Sequence, residues 1–474
     1  MQIDEEYFNN EEFKQKLRLF EDSVKSGHPI YLDDDDLTDI IDYYNLMNEG
    51  GKAMQTADFA LSLYPSAPGP ITYKIRRCID ANDISRAEEL LEKVTDKEID
   101  YKFLKAEILL SQEQPGLACH LLDEAIEAAE EDDRDNCVID AIYLFMDYAY
   151  YELASKWLKR INNTRTEEYA DLEIKVLGLL GEIDKVIEIL NRLLDKNPFQ
   201  HKYWNMISFA QLTNGNYNEA LDSSDYSLAI TPGNPGGLMC KAQALMKRFY
   251  FDKAVKYLYE YLKTYENDVN CLMQIGYCLM NMSKNDKALD IYLKAETKSS
   301  CDSEFIGSIY ENVALAYSHT GNFEKAMEYI DKIEANCEDA ESKHIKLLRG
   351  YAMLEAGRYK EGLFLLADLL VKADYDPADT LKVSVVLFEN HCEKAAYTLM
   401  RDNFPLDDDT MVFGFAYYAL YCLEVGEEEE YLKYLKIAVE RNSDEAFMTL
   451  HHLFPEGMTP EEYYDYAIKK TNNN

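Results

Sequence analysis

A few short stretches hold the residue types that could do chemistry. Asp33-Asp34-Asp35-Asp36 and Asp407-Asp408-Asp409 concentrate carboxylates, the donors a hard cation prefers. A calcium-binding loop also needs spaced oxygen ligands, a central Gly and a closing Glu, and neither run has them. Each run precedes an apolar-periodic stretch, Leu37 to Leu46 and Met411 to Leu423, where acids complement the positive end of a helix. Both are expected to start helices, and Glu427 to Glu430 to form a solvated turn. Cys119-His120 and His391-Cys392 set a thiol beside an imidazole. Neighbours on a helix point about 100° apart, so a core thiol beside a surface ring is the expectation. His451-His452 would hold a metal only with further converging ligands; a solvated pair is expected. No Gly-rich phosphate loop, H-E-x-x-H, G-x-S-x-G or C-x-x-C occurs, so no motif points to an enzyme, a cofactor or a metal site.

What remains is chemistry of recognition. Met273, Tyr277 and Met280 follow i, i+4, i+7 spacing and must share one face of a helix. Flexible thioethers suit a surface that adapts to a peptide. The elements that would position them repeat. Tyr203-Trp204-Asn205-Met206-Ile207-Ser208 opens an amphipathic helix, Asn214-Gly215-Asn216 turns, and Tyr217-Asn218-Glu219-Ala220 opens a second helix that Pro232 ends. Adding 34 to Ala220 gives Ala254, and 34 more gives Ala288; subtracting 34 gives Val186. Ala53 and Ala87 are again 34 apart, and Ala326 and Gly362 follow turns at Gly321 and Gly357. Ala118, Ala154, Ala396 and Tyr431 fit with spacings that wander by a few residues. Ala288 to Ala326 spans 38, read as a longer loop at Ser299-Ser300-Cys301-Asp302-Ser303. The strand-like Val383-Ser384-Val385-Val386-Leu387 falls where a first helix is due and is read as helix.

From about residue 34 to 455 this pattern resembles the tetratricopeptide repeat family. Tyr310, Ala314 and Tyr317, followed by Gly321 and Ala326, reproduce the family's first-helix aromatic, small residue and second aromatic. Leu272, Gly276 and Leu279 give a weaker copy, and only Trp204 supplies the tryptophan. The resemblance implies an all-α fold, a right-handed superhelical solenoid of stacked antiparallel helix pairs, with about twelve hairpins over 34–455. Residues 1–33 form a capping helix, about Asn10 to Ser26. A second cap over 456–474 starts at Thr459-Pro460-Glu461-Glu462, a capping box. The resemblance also implies a concave wall of first helices that binds a peptide or protein segment. It carries Asn205, Phe209, Met239, Gln243, Met273, Tyr277, Met280, Asn281 and Tyr351 onto that wall. No series of Lys-x-x-x-Asn, Asn and Lys-x-x-x-Arg runs along successive first helices, so the carboxylate clamp of the co-chaperone members is not expected.

The charge balance narrows the partner. There are 88 acidic and 49 basic residues, a formal net charge of -39. That field repels nucleic acid and anionic membrane, and steers in a basic or neutral segment. No apolar run is long enough to span a bilayer, and the first residues lack a secretion signal. The 10 Cys are scattered among apolar helix residues, as at Cys240, Cys278 and Cys422, which suits reduced thiols in a cytoplasmic protein. The expected role is an interaction scaffold. Self-association is the alternative, given 37 Tyr, and a helical enzyme without a recognisable motif is the remote one.

Overall fold

The computed structural model describes residues 5–8, 10–26, 32–47, 49–94, 99–164, 166–299, 305–335, 342–455 and 457–471. Every regular element among them is helical. The chain divides into two compact units, 1–199 and 200–474. Unit 1 begins with α1 (Glu5–Phe8) and α2 (Glu11–Ser26). Five hairpins follow: α3 (Asp34–Leu46) with α4 (Gly50–Leu63), α5 (Pro68–Asp80) with α6 (Ile84–Leu91), and α7 (Ile99–Ser111) with α8 (Pro115–Ala128). The last two are α9 (Arg134–Asp147) with α10 (Tyr151–Leu158) and α11 (Glu167–Leu179) with α12 (Ile183–Lys196).

Unit 2 holds seven more hairpins. The first four pair α13 (His201–Thr213) with α14 (Tyr217–Ile230), α15 (Pro235–Lys247) with α16 (Phe251–Tyr261), α17 (Val269–Asn281) with α18 (Asn285–Lys298), and α19 (Ile306–His319) with α20 (Phe323–Ala335). The rest pair α21 (Lys343–Glu355) with α22 (Tyr359–Lys372), α23 (Pro377–Glu389) with α24 (Glu393–Asn403), and α25 (Phe415–Val425) with α26 (Glu428–Arg441). Two final helices, α27 (Ser443–Leu450) and α28 (Pro460–Thr471), close the unit. The residues 383–387 with strand-like composition lie inside α23. Most of the loop expected at 299–303 lies outside the described residues.

The small-residue ruler has a structural meaning. Ala53, Ala87, Ala118, Ala154, Val186, Ala220, Ala254, Ala288, Ala326, Gly362, Ala396 and Tyr431 each occupy the fourth position of a second helix. All twelve are buried, because there the helix crosses closest to its partner and a long side chain would overpack. Tyr431 departs from the small-residue rule and is 7% exposed. Five residues before eleven of these positions the backbone turns left-handed: at Asn82, Glu113, Ala149, Gly181, Gly215, Phe249, Ser283, Gly321, Gly357, His391 and Gly426. That conformation ends the first helix by letting later N–H groups fold back on its carbonyls. In the second hairpin of unit 2, Phe249 N–H bonds Met246 O at 3.0 Å and Tyr250 N–H bonds Leu245 O at 2.9 Å.

Helix starts match the sequence at some acidic runs and depart from it at others. Asp33 caps α3, its carboxylate accepting the Asp36 N–H at 2.8 Å. Thr459 N–H donates to Glu462 at 3.1 Å, the reciprocal half of a capping box. The run 407–409 does not start a helix. Asp408 instead holds a turn through the Thr410 N–H and hydroxyl at 2.8 and 2.7 Å. The helix begins later, after Gly414 at φ 87°, where Glu445 from α27 accepts the Gly414 and Ala416 N–H groups. Glu428 to Glu430 form the first turn of α26 rather than a solvated turn. Glu430 accepts the Tyr397 and Tyr418 hydroxyls, both at 3.0 Å.

Unit 2 also contains a contact that no nearest-neighbour stack requires. The Phe249 ring, at the turn between α15 and α16, stacks on His451 with centroids 3.6 Å apart and planes 8° from parallel. Phe447 of α27 lies 5.7 Å away. His451 is therefore half-buried under a ring and is not one of a solvated pair.

Candidate recognition groove

The nine residues carried onto the first-helix wall all fall in unit 2, on α13, α15, α17 and α21. Phe209 and Tyr277 are exposed, at 61% and 44%. Asn281 is exposed, and its amide donates to Tyr277 O at 2.9 Å. Met239, Met273 and Met280 are half-buried and pack on the unit's core with one flank. Gln243 is half-buried as well. Asn205 is tied inward: its amide donates to Asn234 at 2.9 Å and its oxygen accepts the Ser227 hydroxyl. Tyr351 is 6% exposed. The Phe251 ring meets Tyr277 edge-on at 5.9 Å.

Met280 and Tyr351 line one groove of about 280 Å³ together with Leu315, His319, Leu347, Leu348, Val386 and Glu389. These residues come from α17, α19, α21 and α23, first helices only. Met280, Leu315, Tyr351 and Val386 recur every 35 or 36 residues, one per hairpin, so equivalent turns of successive helices build the apolar lining. The other seven wall residues do not line this groove.

Its polar end is made where these helices stop. His319, Glu355 and Glu389 are the last residues of α19, α21 and α23. His319 Nδ1 lies 3.0 Å from Glu355 and its Nε2 lies 3.1 Å from the Tyr351 hydroxyl. Burial pushes the Tyr351 phenol well above its usual pKa, with the Glu389 and Glu355 charges adding. An imidazole between a carboxylate and a phenol this hard to ionise fixes the helix ends to one another; it supplies no nucleophile.

Glu389 has no such partner. Glu389 is an exposed residue, yet surrounding protein raises its pKa, and the nearby Glu355 charge raises it further. No cation pairs with it among the described residues. The negative end of the helix dipole makes its position unfavourable for an acid. Two carboxylates, Glu355 and Glu389, thus end successive first helices beside an apolar groove. The sequence pointed to neither Glu389 nor His319. The available signal was an acid or imidazole at the last position of consecutive first helices, 34 to 36 residues apart.

One comparison with known proteins falls on the same region. A family model described as Tetratricopeptide repeat matches residues 307–334, which span α19 and most of α20. The hairpin of α19 and α20 is a tetratricopeptide repeat. In the matched repeat, Tyr310 and Tyr317 both reach Tyr329, at 5.8 and 5.7 Å, and Ala314 sits at the close crossing. No curated protein sequence matches the chain. Among solved structures, a tetratricopeptide repeat protein from Parabacteroides merdae aligns over 54% of this chain and all of its own length. Its identity is 15% and its TM-score 0.40. MamA from Desulfovibrio magneticus covers 36% of this chain and 97% of its own, at 15% identity and TM-score 0.34. YrrB, described as having an unusual peptide-binding site, covers 39% and 92%, at 20% identity and TM-score 0.32. Elsewhere in the chain, no group of three or more His, Cys, Asp or Glu converges among the described residues. No described helix is long and apolar enough to cross a membrane.

Proposed function

We propose that the chain is a scaffold whose first-helix wall in unit 2 binds a peptide or protein segment carrying a basic and an apolar side chain. The observation that carries this reading is Glu389, a crowded and unpaired carboxylate at the end of an apolar groove. A Lys or Arg would relieve it, and Met280, Leu315 and Val386 would cover the neighbouring apolar side chain. Tyr277, Met273 and Asn281 on α17, with Phe209, Asn205, Met239 and Gln243 on α13 and α15, would extend the wall beyond the groove. The net charge of -39 supports the same sign of partner, since it steers cations inward. Among the described residues eight cysteines are free, five of which (Cys137, Cys240, Cys271, Cys278, Cys422) are buried with raised thiol pKa. That suits work in a reducing, cytoplasmic setting. Catalysis forms no part of this reading.

Two or three anchors of about 1.5–3 kcal/mol each, less ordering costs, give an affinity on the order of micromolar. Fluorescence anisotropy with labelled peptides pairing Lys or Arg with Leu or Phe should detect it. Glu389→Gln should weaken binding, and Met273→Ala with Tyr277→Ala should weaken longer peptides, with helix content unchanged by circular dichroism. Equal affinity of Glu389→Gln and wild type for every cationic peptide would remove this groove from the reading.

A further inference from the structure

A second groove in unit 2 has the opposite character. It encloses about 640 Å³ between α15 and α16; Leu238, Leu245 and Tyr257 form its floor, with Lys241, Lys253, Lys256 and Glu260 around it. The chain as a whole is strongly acidic, yet from Leu238 to Lys263 the bases Lys241, Lys247, Arg248, Lys253, Lys256 and Lys263 face only Asp252 and Glu260. Internal pairing consumes part of this excess. Lys241 pairs with Asp225 of α14 and lies 4.7 Å over the Tyr257 ring. Glu260 pairs with Lys263 at 2.7 Å. Lys253 rests 4.5 Å over the Tyr250 ring. Neither Lys253 nor Lys256 meets a carboxylate among the described residues, and both are exposed. They are three positions apart on α16 and so share one face.

We propose that this groove takes an acidic segment of a partner protein, with carboxylates on Lys253 and Lys256 and one apolar side chain on the Leu238–Leu245–Tyr257 floor. Charge complementarity decides the occupant. Two ammonium groups without counter-charges border apolar area that a purely polar ion would leave unfilled. The acidity of the rest of the chain does not forbid this, because charges farther off than about 8 Å are largely screened at physiological salt. The site is separate from the carboxylate-ended groove, which first helices alone line, so unit 2 would hold segments of both signs.

Anisotropy with a labelled peptide of Glu residues around a central Leu tests the assignment, beside a Lys counterpart of equal length. The acidic peptide should bind, and high salt should weaken it. Lys253→Glu with Lys256→Glu should reduce its affinity by about tenfold or more. Glu389→Gln should leave it unchanged, which separates this site from the first-helix groove. Both lysines are on the surface, so the double variant should keep its circular dichroism. Equal binding of the Lys peptide, or an affinity that the double charge reversal leaves intact, overturns the proposal. So does self-association in sedimentation velocity that the charge reversal abolishes, since the occupant would then be a second copy of the chain.

Discussion

His451 shows how one residue's surroundings can reverse an expectation. Its ring lies under Phe249 and against Phe447, and its Nδ1 is 3.2 Å from Phe447 O. Burial lowers its pKa below the ordinary value of about 6.5, and the neighbouring His452 lowers it further. The released ring takes up a proton more readily than the stacked one, so the contact is fully present above that value. It weakens as pH falls below it. The hydrogen-exchange protection factors of residues 443–455, corrected for the intrinsic rate at each pH, should therefore fall on acidification below neutrality, and His451→Phe should remove most of that fall. An identical pH response in the variant would assign the effect to carboxylates instead. The stack was not legible in the sequence, because its partners are about two hundred residues apart and no periodicity links them. Asp33 and Thr459 were legible, since each caps its own helix within three residues. The Asp407–409 run misled because the N–H groups it was expected to cap belong to Glu445, from a helix later in the chain.

Among the helices, the readable feature was close approach. A second helix that crosses its partner tightly needs a short side chain there, and this local demand recurs as Ala or Gly at ten of the twelve hairpins, Val186 and Tyr431 being the departures. Gly276 on α17 is the severe case. A Cβ at that position would overlap the Tyr292 ring of α18, and Tyr292 is 1% exposed. Gly276→Ala should destabilise unit 2 by about 1–3 kcal/mol in urea unfolding. Tyr292→Phe should cost nothing or stabilise slightly, because the buried hydroxyl has no hydrogen-bond partner. A large loss from Tyr292→Phe would mean that the hydroxyl is satisfied. The groove was only half legible for a related reason. The positions of Met280 and Tyr351 repeat with the hairpins, whereas the affinity of the site depends on which residue ends each first helix. Nothing in a period of 34 marks that position as functional.

On the scale of the molecule, hairpin stacks normally gain stability only from adjacent layers. Unit 2 adds a tie between its second hairpin and α27. Phe249 takes the left-handed backbone that five other turns give to Gly, at a cost of about 1–2 kcal/mol for a side-chain-bearing residue. An aromatic contact contributes about 0.5–1.5 kcal/mol, so the two terms nearly cancel. Phe249→Gly should consequently move the urea midpoint little while sharply raising hydrogen exchange over 443–455. Unchanged exchange there would show that α26 and α28 alone hold α27. Asp444, near enough to raise the Tyr217 phenol pKa behind the larger effect of burial, marks the same approach of the last helices to the first hairpins.

A row of layers ordinarily frays from its free end, losing one hairpin at a time. Because Phe249 hooks the tail back onto an early layer, peeling away the tail strips cover from that layer too. Unit 2 should then come apart as a single block where an untied row would unzip, and a pulling force on its C-terminus would meet one large rip instead of a staircase.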